Sequence, residues 1–202
     1  MPQNDQLILA SESPRRRRLL ASAGFTFTVI PSQIDEETIG HETPEDTVRR
    51  LAEAKAEAVT KKFPRCWIIG ADTLVAIAGQ ILGKPDSVDA ARQMLRQLSG
   101  AAHQVYTGFT LQHRHRRYRF SQSVCTTVTF KPLTPGEIEW YLATREPFDK
   151  AGGYAVQGKG AFMVKTIHGS YTNVVGLPMS EIIDALTVAG VAAHFPVRQA
   201  AF

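Results

Sequence analysis

The chain has 202 residues, of which 44% are hydrophobic and 21% are charged, and its formal net charge is +4. This composition is typical of a globular domain, which we expect to span residues 1–202 and to fold alone. No stretch approaches the roughly 20 apolar residues that a membrane-spanning helix needs, so we expect no membrane partner. Cys66 and Cys125 match no zinc or redox spacing, and we expect both thiols to be buried and reduced in a cytoplasmic protein.

The first predicted elements are a strand that ends near Ala10 and a helix with Ser13 as its N-cap and Pro14 at its first position. The free N–H groups and partial positive charge at a helix start favour an anion there. Arg15 to Arg18 add guanidinium groups to the first turns, which costs stability unless something negative lies beside them. A solvated basic helix start is the alternative. Because cap, proline and arginines coincide, we favour an anion site.

The remaining elements alternate between strands and helices, which predicts a mixed α/β fold. In chain order we predict a strand at 25–30, a helix at 43–62, a strand at 66–69, a hairpin at 74–82, a helix at 87–98, strands at 103–112 and 118–130, a helix at 134–144, a strand at 162–167 and a helix at 177–188. Asp72 follows an apolar run, so we expect its carboxylate to emerge where a buried strand reaches the surface. Open α/β sheets bind ligands there. A turn aspartate that bonds the backbone is the alternative.

Several loops carry further polar signals. The basic run at 113–119 lies between two predicted strands and indicates an exposed hairpin tip. Tyr118 is the only Phe, Trp or Tyr among these basic residues, so we expect no nucleic-acid partner. The glycines within 151–160 suggest backbone brought close to a ligand, or a flexible surface loop. Residues 35–37, Asp-Glu-Glu, could offer oxygen ligands to a metal, but on their own they are better explained by exposure to water.

Eight short motifs together resemble the Maf family of nucleotide pyrophosphatases. In the family's order they lie at residues 10–16 (ASESPRR), 35–36 (DE), 50–55 (RLAEAK), 70–73 (GADT), 83–85 (GKP), 149–152 (DKAG), 157–158 (QG) and 173–178 (NVVGLP). Each motif is weak alone, but their order across residues 7–186 is specific. The resemblance implies an elongated, two-lobed α/β fold with a mixed sheet and a central cleft, related to inosine triphosphate pyrophosphatases. It also implies a cytoplasmic homodimer that uses Mg²⁺ or Mn²⁺ to hydrolyse nucleoside triphosphates to monophosphates and pyrophosphate.

This reaction needs an activated water at the α phosphorus and cations that neutralise the departing pyrophosphate. We assign Asp72 as the general base and, with Glu36, as a metal ligand. Arginine forks and lysine point charges both suit phosphate. The residues assigned to phosphate oxygens are Ser11, Ser13, Arg15, Arg16, Lys55, Lys84 and Lys150. Arg17 and Arg18 exceed the motif, and we expect them to face solvent.

Three positions bear on the branch of the family. In the branch that resembles 7-methyl-GTP pyrophosphatases we expect tryptophan at position 15, glutamine at 73 and glutamate at 157. Arg15, Thr73 and Gln157 instead indicate the branch that hydrolyses dTTP and UTP, with CTP and modified pyrimidine nucleotides as further substrates. An amide at 157 can donate and accept, as a uracil or thymine edge requires. An exposed loop amide is the alternative.

Other functions stay open on the sequence alone. A 7-methyl-GTP pyrophosphatase of the same family is one, and a nucleotide-binding regulator of septum formation is another, since the family was first linked to that process. If the protein is a pyrophosphatase, its role would be the removal of unwanted nucleotides, with an effect on cell division. A nucleic-acid-binding protein would have to use the two arginine clusters, but nothing in the sequence reads bases.

Overall fold

The computed structural model describes residues 4–34 and 42–192 and has a seven-stranded mixed sheet at its centre. The strands are β1 (Leu7–Leu9), β2 (Phe27–Val29), β3 (Trp67–Ile77), β4 (Gln80–Leu82), β5 (Ala102–His113), β6 (Tyr118–Phe130) and β7 (Val164–His168). They lie in the order β2-β1-β3-β5-β6-β7, and β4 pairs with β3. The pairs that β1 makes with β2 and β3 are parallel, and the other pairs are antiparallel. The predicted mixed α/β class is confirmed.

The helices of the described residues are α1 (Pro14–Ser22), α2 (Pro44–Thr60), α3 (Val88–Leu98), α4 (Pro135–Ala143), α5 (Tyr171–Val175) and α6 (Met179–Val188). Four of these six helices, α1 to α4, begin directly after the residue at which the sequence predicts a helix start. Ser13, Thr43 and Ser87 each accept a hydrogen bond from a backbone N–H three residues on. Thr134 forms a full capping box with Glu137. The sequence did not indicate α5, because a helix of five residues is too short to show a periodic pattern.

One predicted boundary is wrong. The strand at 66–69 and the first arm of the hairpin at 74–82 form one continuous strand, β3, which pairs with β5 from Ile68 to Ala76. Asp72 therefore lies in the middle of a strand and is only 9% exposed, rather than at a strand end on the surface. The residues Gly-Ala-Asp-Thr at 70–73 have no strand-like pattern, but pairing with β5 holds their backbone extended.

Helix α2 covers one face of the sheet at very short range. An added Cβ at Gly70 would lie 2.3 Å from the carbonyl oxygen of Ala52, and one at Gly108 would lie 2.3 Å from that of Val48. Only glycine allows this approach. The close contact places Lys55, which follows Ala52 by about one turn of α2, directly over β3.

The other face of the sheet carries two separate apolar clusters. One packs α1 and α6 on β1 and on Trp67 and Ile69 of β3. The other packs α3 and α4 on Val75 and Ile77 of the same strand. Thr73 lies between the two clusters. The arrangement agrees with two lobes that share one sheet and are separated by a cleft.

The sheet is also interrupted at this point. The pairing of β1 with β3 ends at Ile69, and the pairing of β4 with β3 begins at Val75. Between these positions, no strand in the described parts of the chain pairs with the edge of β3 that faces away from β5. This gap opens the cleft onto residues 70–74.

The hairpin and cysteine predictions have different outcomes. Residues 114–117 of the basic run form the turn between β5 and β6 and are exposed, so the prediction is confirmed for this tip, whereas His113 at the end of β5 is buried. Cys66 is buried as expected, but Cys125 is exposed. The buried positions of β6 are 126, 128 and 130, so residue 125 points to the opposite face. No helix within residues 4–34 and 42–192 is long and apolar enough to cross a membrane.

Candidate active site

The gap at β3 opens into a cleft of about 620 Å³. Its walls are the start of α1 on one side and β4 with the segment 149–157 on the other. The cleft is lined by all the predicted site residues that the structure describes, namely Ser11, Ser13, Arg15, Arg16, Lys55, Asp72, Thr73, Lys84, Lys150 and Gln157. Glu36, the predicted second metal ligand, lies outside the described residues. Residues that are far apart in the chain thus meet in one cavity.

Arg16 is buried at the base of the cleft, and its guanidinium is bound to protein atoms. It donates to Gly176 O (2.7 Å), Ala71 O (2.9 Å), Thr73 Oγ1 (2.9 Å) and Ser11 Oγ (3.1 Å). These bonds tie the start of α1 to β3 and to the end of α5. Arg16 therefore shapes the site from beneath, whereas Arg17 and Arg18 are exposed as expected.

The two serines of the first motif form the turn that precedes α1. Ser13 Oγ accepts from Arg16 N at 3.4 Å and is the N-cap. Ser11 Oγ accepts from Ser13 N at 3.3 Å and from Arg16 Nη1 at 3.1 Å. Each hydroxyl keeps its own proton for donation. The turn thus presents hydroxyl donors together with the positive end of the helix dipole.

Asp72 and Lys55 form a buried ion pair on the α2 side of β3. Lys55 Nζ donates to Asp72 Oδ1 at 2.7 Å, and the side chains are 8% and 12% exposed. Loss of one partner from such a pair leaves an uncompensated buried charge, so the two groups fix each other in position. Oδ2 of Asp72 makes no hydrogen bond with the described residues. It is the oxygen left for a metal ion or a water.

Basic side chains occupy both walls of the cleft. Arg15 on α1 pairs across the cleft with Asp149 at 3.1 Å, and Lys150 binds the other oxygen of the same carboxylate. Burial acts to raise the pKa of Asp149, but hydrogen bonds and charge from Lys150 and Arg15 hold that pKa below its ordinary value. Lys84 is exposed and makes no hydrogen bond or ion pair within the described parts of the chain. The cleft therefore offers cations on both walls.

Thr73 and Gln157 differ in how firmly they are held. Thr73 Oγ1 accepts from Arg16 and shares a hydrogen bond of 2.9 Å with Thr107 Oγ1, which donates to Asn173 O. Gln157 is half-buried, and its amide makes no hydrogen bond with the residues that the structure describes. Its amide is therefore available to a ligand in the cleft.

Two further residues at the cleft were not assigned from the sequence. Asp149 could have been found, because it stands beside Lys150 in a motif and offers the obvious counter-charge. Tyr154 gave no such signal. It lines the cleft while its hydroxyl forms a 2.8 Å hydrogen bond with the fully buried His103. Burial lowers the pKa of His103 to about 4, so this ring is neutral at pH 7.

The chemistry of the donors fits a hard divalent cation. No group of three or more His, Cys, Asp or Glu side chains that could enclose a metal occurs among the described residues. Mg²⁺ does not need such a cage, because it is commonly held by one or two carboxylates together with water and substrate phosphates. Asp72 Oδ2 supplies one carboxylate oxygen at the cleft. The predicted Glu36 would supply the second.

The chain is similar to known proteins over nearly its whole length. The model of the family described as "Maf-like protein" matches residues 6–189. The dTTP/UTP pyrophosphatase of Syntrophus aciditrophicus is 52% identical over 90% of this chain and 89% of its own, and that of Geobacter sulfurreducens is 52% identical over 90% and 95%. The solved Ham1 protein of Staphylococcus aureus is 14% identical, covers 79% of this chain and 80% of its own, and has a TM-score of 0.46.

Proposed function

Because the chain belongs to the Maf family, we propose that it is a nucleoside triphosphate pyrophosphatase that converts dTTP and UTP to the monophosphate and pyrophosphate. The observation that carries the proposal is the cleft itself, where cations on both walls surround a carboxylate paired with a lysine. Such a site suits a triphosphate, whose negative charge must be balanced in the ground state and increasingly during bond cleavage. The names of the relatives at 52% identity support the same activity and the pyrimidine substrates.

The departing pyrophosphate requires the most positive charge. We assign this role to Arg15, Lys84 and Lys150, together with the hydroxyls and free N–H groups at the start of α1. Arg15 and Lys150 both bind Asp149, so a triphosphate would compete with that carboxylate for the two cations. Arg16 contributes by holding the turn in shape, and we propose that its role is positioning.

Asp72 is the proposed general base. Its Oδ1 is occupied by Lys55, so Oδ2 is the atom that would accept a proton from the attacking water or touch a metal. Lys55 restricts rotation of the carboxylate and so keeps Oδ2 directed at one place. A divalent cation held by Asp72 and Glu36, when bound, would supply charge neutralisation at the phosphates.

The base of the nucleotide would contact Gln157. Uracil and thymine present both a donor and acceptors on one edge, and a neutral amide answers both. Thr73 lies at the junction of the lobes, where its hydroxyl is held by Arg16 and Thr107. The choice of dTTP and UTP over 7-methyl-GTP thus depends on Arg15, Thr73 and Gln157. A homodimer, a cytoplasmic location and a role in cell division are kept as predictions from the family resemblance.

The test is pyrophosphate release from dTTP, UTP, CTP, GTP and 7-methyl-GTP with Mg²⁺ or Mn²⁺. We expect turnover of dTTP and UTP, and a loss of at least about a hundredfold in kcat for Asp72→Asn, whose amide oxygen can still accept from Lys55 but which no longer provides a base. Asp89→Asn is the matched control, because Asp89 is an exposed aspartate on α3, outside the cleft.

The outcomes separate the hypotheses. Near-normal turnover by Asp72→Asn would exclude Asp72 as the base. Preferential hydrolysis of 7-methyl-GTP would retain the reaction but refute the assignment of the branch. A nucleotide that binds without any pyrophosphate release would favour the regulator of septum formation.

A further inference from the structure

The segment that carries Gln157 is held from behind by two side chains that do not line the cleft. Glu146 Oε1 accepts hydrogen bonds from Tyr141 Oη and Gly160 N, both at 3.0 Å, and Oε2 accepts from Lys159 N at 3.1 Å. Tyr141 Oη in turn accepts from Ala155 N at 3.1 Å. The backbone is thus anchored two residues before Gln157 and two residues after it.

The glycines of this segment are required by the same contact. Gly158 has φ +73°, and a Cβ there would lie 2.7 Å from Glu146 Oε2. A Cβ at Gly160 would lie 2.5 Å from Ala155 O and 2.8 Å from Tyr141 Oη. All three distances are shorter than real Cβ contacts. The segment is therefore wrapped closely around the Glu146 carboxylate and the Tyr141 hydroxyl, with no side chain between them.

These hydrogen bonds are of the strong kind. An ionised carboxylate accepts N–H and O–H donors with about twice the strength of a neutral acceptor. Tyr141 is fully buried, and its burial, followed by the charge of Glu146, raises the pKa of the phenol well above its usual range. The hydroxyl is therefore protonated at neutral pH and donates to Glu146.

Gln157 itself has no comparable support. Its amide is half-buried and has no hydrogen-bond partner among the described residues, so its position in the cleft is set by the backbone on either side. Selective recognition of a base edge needs a donor and an acceptor placed within a fraction of an ångström. We propose that Glu146 is a positioning residue which, together with Tyr141, sets the base selectivity of the enzyme by holding Gln157 in place.

This inference rests on the proposed pyrophosphatase function, and it adds residues that position Gln157 without contacting the substrate. The carboxylate of Glu146 acts on the base end alone, whereas its backbone carbonyl accepts from Lys150 Nζ at 2.6 Å. A substitution of the Glu146 side chain leaves that carbonyl in place. The phosphate end should therefore be unaffected, which allows the two ends of the substrate to be measured separately.

The experiment uses the full-length chain and the variants Glu146→Gln and Tyr141→Phe. The first replaces one acceptor oxygen by an NH₂ group, which cannot accept from a backbone N–H. The second removes the bridging hydroxyl and keeps the buried ring. Glu139→Gln is the matched control, because Glu139 is also a hydrogen-bonded glutamate but lies at the surface with Arg92, away from the cleft. Thermal unfolding confirms that each variant is folded.

For each variant we would measure kcat and KM with UTP and GTP, and inhibition by inorganic tripolyphosphate, which has no base. We expect the KM for UTP to rise about tenfold, with little change in kcat and a smaller preference for UTP over GTP. The inhibition constant of tripolyphosphate should stay within twofold of the wild type, roughly the error of such a measurement. Glu139→Gln should match the wild type in every quantity.

A double-mutant cycle tests whether Glu146 acts through Gln157. In the background of Gln157→Ala, the further change Glu146→Gln should alter the KM for UTP by less than about twofold, because the group that it positions is already absent. The inference would be overturned by additive effects of the two substitutions on the KM for UTP, by an unchanged preference for UTP over GTP, or by an equal loss of affinity for UTP and tripolyphosphate. In each of these cases, turnover of UTP by the wild type would still uphold the proposed function. No turnover of any nucleotide by the wild type would overturn both.

Discussion

The close contact of α2 with β3 makes Gly70→Ala a sharp test of the fold and of its link to the site. The new Cβ would lie 2.3 Å from Ala52 O and 2.6 Å from Ala56 N. Both are backbone atoms in the middle of a helix, so no side chain can rotate away. To reach the shortest tolerable separation of 3.0 Å, α2 must move away from the sheet by about 0.7 Å.

This displacement has a structural and a catalytic consequence. Overpacking of this kind costs about 2 kcal/mol, which lowers the melting temperature of a domain of this size by about 6 °C. Lys55 moves with α2, so its 2.7 Å contact with Asp72 lengthens and the carboxylate loses its fixed orientation. A misplacement approaching 1 Å can cost about a hundredfold in rate. We therefore expect kcat to fall by between about tenfold and a hundredfold.

The assay combines calorimetric unfolding with pyrophosphate release from UTP. Gly136→Ala is the matched control, because nothing lies within 4 Å of the added Cβ and the residue is in the first turn of α4. Alanine there should be neutral or stabilise the protein by about 0.5 kcal/mol. The expected shift sets a limit of roughly 2 °C for a meaningful difference in melting temperature. If Gly70→Ala and Gly136→Ala melt within roughly 2 °C of each other and have the same kcat, then α2 does not pack on β3 as described.

Two further predictions concern buried groups near the cleft. Because burial lowers the folded-state pKa of His103 to about 4 from about 6.5 in the unfolded chain, the unfolded state binds more protons between these values. The free energy of unfolding should therefore fall by about 3 kcal/mol as the pH drops from 6.5 to 4. Urea titrations of His103→Gln should lack this part of the pH dependence. Equal slopes of unfolding free energy against pH for the wild type and the variant would refute the prediction. Arg16→Lys cannot reproduce the hydrogen bonds to Gly176 O, Ala71 O and Thr73 Oγ1, so we expect unfolding free energy to fall by about 2 kcal/mol. Arg17→Lys, at an exposed neighbour, should change it by less than about 0.5 kcal/mol, and equal effects of the two variants would contradict the role of Arg16.

Much of the fold follows from local sequence signals. Capping residues at Ser13, Thr43, Ser87 and Thr134 indicate helix starts, because their side-chain oxygens accept from backbone N–H groups that have no partner within the helix. The strand β6 has the predicted bounds for a related reason, since a long run rich in β-branched and aromatic residues favours extended structure. Local chemistry of this kind needs no knowledge of distant residues.

Other features depend on partners far away in the chain. The strand β3 continues through residues 70–73 only because β5 pairs with it, and the exposure of Cys125 follows from which face of β6 is covered. The sequence motif that contains Arg16 suggests a phosphate ligand, yet the guanidinium is held by Ala71, Thr73 and Gly176. Their distance from Arg16 along the chain conceals these contacts.

The site shows the same division. The motifs by themselves predicted which residue types line the cleft, because cations, capping hydroxyls and a carboxylate are recognisable by their chemistry. Only the tertiary structure decided how they are paired: Lys55 with Asp72, Arg15 with Asp149, and Glu146 with the backbone beside Gln157. Pairing depends on the distances that strand register and helix packing impose, and such distances between remote segments are not encoded in any local stretch of sequence.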